Sequence, residues 1–407
     1  MSVLTVYNHG TCSSSTDGFD KLEIVTCFGN LHRKFDPGGE RIHWYITEGV
    51  GSKLDPVTHG RLVFDERRMI LYPAKPSSSW FFGGTRHATS GDGVQQNVQN
   101  FLTLLTFLKA SNRVPEAINM VGWSRGAVTC IRQASELWRD GTLGLSSIPI
   151  HIFAVDPVAG ASADLERQGS ILYPNVHDFI ACLAQGERRS TFAPKSPTKL
   201  KVASPSQTHT AFLNFPGIHS DVAKLSGEPG IITFDLCARF LHHHGTVVPA
   251  HSGFLSAPLR LLQAYFNLAL RNKRIGTRVL TGSKATSHTG WIDRNTGTAD
   301  RVMSLGVFEP RHLHDDQVSD PDLFVNVHHE ALFEHHYPDL YDLLFHRRLS
   351  PFELDQALSS PVIAQRLRHL DLYSPGIAAE LSRPGRFAHA APSRSWLTTL
   401  IANHLVA

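Results

Sequence analysis

The stretch Ala117-Ile118-Asn119-Met120-Val121-Gly122-Trp123-Ser124-Arg125-Gly126-Ala127 decides the fold. It runs from a short apolar segment through Gly-x-Ser-x-Gly into residues with amphipathic helical spacing. A strand that turns into a helix at this pentapeptide is a nucleophile elbow. The spacing has a steric reason. The serine occupies a strained turn, so Gly122 and Gly126 must be small to let strand and helix pack closely. The first helical turn then aims backbone N–H groups at the place where an oxyanion would form. The bland alternative is a helix N-terminus whose glycines serve packing alone. The apolar run before Ser124 and the amphipathic run after it favour the elbow.

Outward from the elbow, helices alternate with apolar runs. Leu4-Thr5-Val6-Tyr7 is a strand that ends in Asn8-His9-Gly10-Thr11 and a polar Ser13-Ser14-Ser15 loop. Val94 to Lys109 has helical spacing of Val94, Val98, Phe101, Leu102, Leu105 and Leu108, with Asp92 as N-cap. The helix after Ser124 carries Ala127, Val128, Ile131, Ala134 and Leu137 on one face and stops at Gly141. Ile148 to Val155 reads as a buried strand followed by Asp156-Pro157, and Asn175 to Leu183 as another. This pattern predicts an α/β fold with a doubly wound, mostly parallel sheet covered on both faces.

The character changes near residues 245–255. Beyond it Leu259–Leu270, Leu332–Phe345 and Pro351–Arg368 read as helices between polar loops. The expected organisation is a catalytic domain over 1–245 and a mainly helical domain or cap over 246–407. Residues 190–208 form an excursion between core strands, where lid or substrate loops are often placed.

A chain of 407 residues with 42% hydrophobic content has ample core. A net charge of +3 without a strong Lys/Arg cluster argues against a nucleic-acid partner. The first residues lack the basic start and apolar core of a secretory signal, and no apolar run reaches the ~20 residues that span a bilayer. Cys12, Cys27, Cys130, Cys182 and Cys237 are scattered without C-x-x-C spacing, which fits folding in a reducing cytoplasm. The expected location is the cytoplasm of the producing cell, with any export by a route that needs no signal peptide.

If Ser124 is the nucleophile, an acid and then a histidine should follow in the chain. Asp156 stands at the C-terminal end of the next strand, where ligand and catalytic groups collect in open α/β sheets. An Asp-Pro turn cap is its structural reading, and one residue can serve both ends. Of 24 histidines, His219 stands out in Pro216-Gly217-Ile218-His219-Ser220-Asp221-Val222, a Pro-Gly turn after an apolar strand-like segment. A base on such a loop can take the serine proton and pass it to a leaving group. The oxyanion donors expected are the N–H of Arg125 and that of Gly10 or Thr11, with an ordinary glycine turn as the alternative at Gly10. This chemistry needs no metal and no organic cofactor.

Gly122-Trp123-Ser124-Arg125-Gly126-Ala127 together with Pro216 to Val222 resembles one family. It is similar to the uncharacterised α/β-hydrolase family with a Gly-Phe-Ser-Arg-Gly-Ala elbow, which includes the lipase effectors of type VI secretion systems. The similarity extends to Gly91–Val98, Phe153–Val158 and Ala184–Phe192, and so spans most of residues 1–240. It implies a Ser-Asp-His esterase, with phospholipases among its members, and on the matched positions Ser124 as nucleophile and His219 as base. Three departures stand out. Gly186 occupies the first position of the family's Asp-Glu-Arg-Arg, which leaves Asp156 as the better acid and Glu187 in reserve. His9-Gly10-Thr11 replaces Asp-Gly-Thr. Val222-Ala223-Lys224 replaces the glycines that usually follow.

Other signals carry less. In His328-His329-Glu330-Ala331-Leu332-Phe333-Glu334-His335-His336 the residue four beyond His329 is Phe333, so the His-Glu-x-x-His zinc motif fails. His242-His243-His244 cannot all point one way and reads as surface. Leu255 to Arg271 is either an interfacial lid helix or, more plainly, a core helix. The residues point to a serine esterase, and the resemblance implies lipid esters, phospholipids above all, as substrate and a secreted effector as role, with transient membrane-surface contact and with an immunity or secretion partner left open. The rivals are an esterase or thioesterase on a small soluble acyl compound and a non-catalytic toxin scaffold with a vestigial site.

Overall fold

The computed structural model describes residues 2–16, 23–35, 42–52, 62–73, 92–160, 162–184, 187, 192, 194–195, 199–215, 217–225, 227–246 and 264. The elements in chain order are β1 (Val3–Asn8), α1 (Ile24–Phe35), β2 (Trp44–Thr47), β3 (Leu62–Asp65), β4 (Ile70–Pro73), α2 (Asp92–Ala110), β5 (Ala117–Trp123) and α3 (Arg125–Arg139). They continue with β6 (Ile150–Val155), α4 (Ala163–Gln168), β7 (Ile171–Leu172), β8 (Val176–Ala184), β9 (Lys201–Val202), β10 (His209–Phe215) and α5 (Glu228–His243).

Runs such as Ile150-His151-Ile152-Phe153-Ala154-Val155 are apolar on both sides of the strand, so they are stable only where helices cover both faces. Six such strands form a parallel sheet in the order β10-β8-β6-β5-β1-β2. One face presents Leu4, Val6, Met120, Ile152 and Ala181 to Phe101 and Leu105 of α2 and to Ala127 and Ile131 of α3. The other face is covered by α1 and α5. Phe28 of α1 meets Phe234 of α5 at 5.7 Å between ring centroids, and Phe153 of β6 meets Phe240 of α5 at 5.5 Å. Each fully buried aromatic or branched side chain contributes roughly 1.5–3 kcal/mol relative to exposure. The described residues thus form an α/β fold around a parallel sheet, as the sequence pattern predicts.

The strand order sets the position of any site. The chain leaves β1 to one side for β2, whereas β5, β6, β8 and β10 advance to the other. The loops after β1 and β5 therefore diverge and open a crevice at the C-terminal ends of the strands. Asn8, fully buried at the end of β1, ties this edge to α3 by donating from Nδ2 to Gln133 Oε1 at 3.0 Å and to Cys130 Sγ at 3.1 Å.

The predicted strands and the helices of 92–110 and 125–139 are present within a few residues of their expected ends. The sequence pattern does not signal α1, β2, the antiparallel β3–β4 pair, α4, β7, β9 or α5. The helices expected at Leu259–Leu270, Leu332–Phe345 and Pro351–Arg368, with the 246–407 domain they would build, lie outside the described residues apart from residues 246 and 264, as do His328–His336.

Candidate active site

Ser124 is the residue between β5 and α3, and its backbone is strained: φ is 56° and ψ −123°. A non-glycine residue in this region costs on the order of 1–3 kcal/mol and persists only where its surroundings enforce it. Here they do. The Ser124 N–H donates to Val155 O at 2.9 Å, and its carbonyl accepts from Ala127 N and Val158 N at 3.2 Å each. The two glycines fit the steric argument. A Cβ on Gly122 would stand 2.6 Å from Ala127 Cα, and one on Gly126 would stand 2.1 Å from the Asn8 carbonyl oxygen.

Asp156 follows β6 directly and is the second strained residue, with φ 40° and no exposure. Its N–H donates to Cys182 O at 2.7 Å, and its Oδ1 accepts from Ala184 N at 3.1 Å, so β8 fixes the carboxylate. Oδ2 faces His219 Nδ1 at 2.6 Å. An ionised carboxylate only accepts, so this contact puts the ring proton on Nδ1 and leaves Nε2 as the basic nitrogen. His219 itself is 4% exposed and lies on the turn after β10. Gly217 adopts a φ of 133°, and the Ile218 N–H donates to Asp221 Oδ2 at 2.9 Å, which closes the turn.

Three more groups hold His219. Trp123, the residue before Ser124, stacks on it at 5.5 Å and 27°. Phe192 meets it edge-on at 4.9 Å. Glu187, buried, accepts the His219 backbone N–H at 3.1 Å on Oε2. Asp156 thus holds the ring and Glu187 the main chain, which separates the two acids that the sequence left in competition. The role of Glu187 depends on its distance from a backbone atom, and no local spacing reveals that.

The loop after β1 lies beside the elbow. A Cβ on Gly10 would come within 2.8 Å of the Trp123 ring, and the Gly10 carbonyl accepts from Ser13 N at 3.1 Å. Thr11 follows, and then Cys12 with φ 64° and its N–H on Val50 O at 2.9 Å. Cys12, Ser124 and Asp156 are three of the five non-glycine residues with positive φ among the described residues. Backbone strain therefore gathers around this crevice. Arg125 opens α3 with its side chain mostly buried against Gly160, and burial pulls its pKa down while the nearby Cys12 thiol opposes that shift.

Of the 190–208 excursion, Phe192 reaches His219, Val158 bridges to Pro194, and Lys195 is fully buried. Lys195 Nζ pairs with Glu166 Oε2 at 3.0 Å, and its N–H donates to Pro157 O at 2.8 Å, which pins the segment after Asp156. Burial lowers the Lys195 pKa and Glu166 opposes that shift. Burial also raises the thiols of Cys27 and Cys130 to about 12, so both stay protonated.

One sequence reading needs correction. His242 is exposed, but His244 is not a surface residue: its side chain is 5% exposed and its ring stacks on His151 at 3.8 Å. The end of α5 folds back onto the sheet and carries that ring inward. Among the described residues, His151, Asp178 and His244 form a group with metal-ligand chemistry, far along the strands from Ser124.

No protein-family model matches the chain, and no curated protein matches it. One solved structure, described as that of an uncharacterized protein from Pseudomonas aeruginosa, aligns at 14% identity and a TM-score of 0.39. The alignment covers 93% of this chain, which spans 66% of the length of that protein. A likeness of this degree says nothing of function.

Proposed function

We propose that this chain is a serine hydrolase of the α/β-hydrolase type that cleaves carboxylic esters of lipids, with phospholipids as substrate. The observation that carries the reading is the 2.6 Å contact between His219 Nδ1 and the buried Asp156 Oδ2, on an imidazole stacked against the residue before Ser124. Ser124 Oγ attacks the ester carbonyl while His219 Nε2 takes its proton and then gives it to the departing alcohol. Asp156 holds the tautomer and stabilises the imidazolium that forms. The N–H groups of Arg125 and of Gly10 or Thr11 receive the oxyanion, and water on the same base releases the acyl group. A lipid substrate is favoured by the apolar walls at His219: Trp123 and Phe192 flank the ring, and Ile218 beside it is 48% exposed. The effector role rests on the family resemblance alone.

The test combines fluorophosphonate labelling with mass-spectrometric lipid analysis on phospholipid vesicles, using the full chain and its Ser124→Ala variant. Labelling and release of fatty acid with lysophospholipid by wild type only is the expected result. Labelling without lipid release would leave the esterase and remove the lipid. Neither signal from a folded wild-type protein would refute the whole reading and favour a vestigial site.

A further inference from the structure

The strands carry a second cluster at their N-terminal ends, opposite the ends that present Ser124. Parallel register sets His151, near the start of β6, and His209, the first residue of β10, each directly across from Asp178 of β8. Residues in register on neighbouring strands share a face, so these side chains form a row across the sheet. Asp178 is the centre of the row. Its Oδ2 is 2.6 Å from His151 Nδ1 and its Oδ1 is 3.2 Å from His209 Nδ1. The residue after α5 completes the group from above. The His244 ring lies on the His151 ring with 19° between planes, and its Nε2 is 3.9 Å from Asp178 Oδ2. One donor atom from each of His151, Asp178 and His244 lies within 4.8 Å of the others.

A carboxylate that is 3% exposed is costly to hold unless a cation or several donors compensate it. Imidazoles from three separate elements surround it. Imidazole nitrogens and a carboxylate oxygen suit zinc and the neighbouring first-row divalent ions, whereas calcium and magnesium prefer all-oxygen sets. Two bonds of about 2.0–2.2 Å to one tetrahedral ion separate its donors by roughly 3.3–3.6 Å, so donors now 2.6–4.8 Å apart move by about 1 Å and the stacked His244 ring turns to aim Nε2 at the ion. Exposure grades from the closed to the open side: 5% at His244, 14% at His151 and 43% at His209. That leaves the His209 side as the entry path.

We propose that His151, Asp178 and His244 bind one divalent cation of the zinc type, with His209 as fourth ligand. The ion would staple the end of α5 to β6 and β8. Asn119 Nδ2 ties the same stretch to β5, donating to His244 O at 2.9 Å and to Thr246 Oγ1 at 2.8 Å. The role is structural, because the triad stands at the other ends of these strands. The inference is independent of any esterase activity.

The test uses the full chain after chelation and dialysis. Zinc is titrated by calorimetry near neutral pH, and cobalt in parallel by visible absorption, into wild type, Asp178→Asn and His244→Gln, with circular dichroism confirming that each is folded. Wild type should bind one ion at this site, with absorption bands of imidazole-ligated cobalt and a rise in melting temperature. Both variants should lose affinity by about 100-fold or more. Equal affinity and stoichiometry in the variants would place the ion on others of the 24 histidines and overturn the proposal. Absence of binding by folded wild type would overturn it too, and leave the cluster as a hydrogen-bonded His–Asp row.

Discussion

Replacing Gly126 by alanine tests the elbow at its tightest point. The added Cβ would stand 2.1 Å from the Asn8 carbonyl oxygen and 2.6 Å from that of His9. Both are main-chain atoms, so no rotamer change relieves the clash. Ordinary carbon–oxygen contact requires ~3.2 Å, so the start of α3 and the end of β1 must part by about 1 Å. Overpacking in a dense interior costs about 1–3 kcal/mol, and a backbone clash belongs at the upper end of that range. A loss of about 3 kcal/mol lowers the folded-to-unfolded ratio by roughly 150-fold. The same movement separates the Arg125 N–H from the loop of Gly10 and Thr11, so the proposed esterase activity should fall further than stability. The control is Gly141→Ala, where a Cβ meets nothing within 4 Å. There the loss of unfolded-state freedom should be neutral or stabilise by up to about 1 kcal/mol. Urea unfolding followed by tryptophan fluorescence gives both values. If Gly126→Ala matched the wild-type midpoint, close helix–strand approach would not be what demands glycine here, and the steric account of the elbow would fail.

Two further outcomes follow from the geometry. Asp156→Asn should lower kcat on a chromogenic ester by ~10³–10⁴ with little change in KM, because the amide disturbs the His219 tautomer, while Glu187→Gln, whose carboxylate accepts the His219 backbone N–H and not the ring, should cost about 10-fold or less; equal losses in initial-rate assays would reverse the assignment of the acid. The buried thiols make alkaline stability fall: Cys27 and Cys130 are raised from 9.0 to about 12, so above pH 9 the unfolded chain sheds protons that the folded chain keeps. Each thiol then removes about 1.4 kcal/mol per pH unit up to about 12, stability being unaffected by them below 9, and urea midpoints between pH 8 and 10.5 should show a shallower decline in Cys130→Ala.

Local spacing made the centre of the site legible. Gly122, Ser124 and Gly126 are two residues apart, and the reason for glycine lies within that same turn. Asp156 was legible because a strand end is a position in sequence. Elements whose signals conflict locally stayed hidden. Ile24-Val25-Thr26-Cys27 is a largely β-branched run that looks like a strand, yet it opens α1. Its cap is Glu23, whose Oε1 accepts Val25 N at 2.8 Å and whose Oε2 accepts Thr26 N at 3.1 Å, in place of the usual Ser, Thr, Asp or Asn. The first turn of α5 contains Pro229 and Gly230, and the glycine that weakens the helical signal is there because a Cβ would collide with the Lys224 carbonyl at 1.7 Å.

Register is the information that no local pattern holds. His151, Asp178 and His209 are separated by 27 and 31 residues, and each alone is an ordinary polar residue near a strand start. They become one row only because β8 lies between β6 and β10 with these three in line. A slip of one residue in either pairing would turn the histidine of that strand to the opposite face. His219 depends on the same geometry at the other end of these strands: β10 must run parallel to β8, and β8 to β6, for the turn after Phe215 to return the imidazole to Asp156. One sheet order therefore assembles both clusters. A substitution that shifts β10 along β8, such as a proline within Ala211–Leu213, should break the His219–Asp156 contact and the His209–Asp178 contact together, whereas changes confined to either loop should break only one.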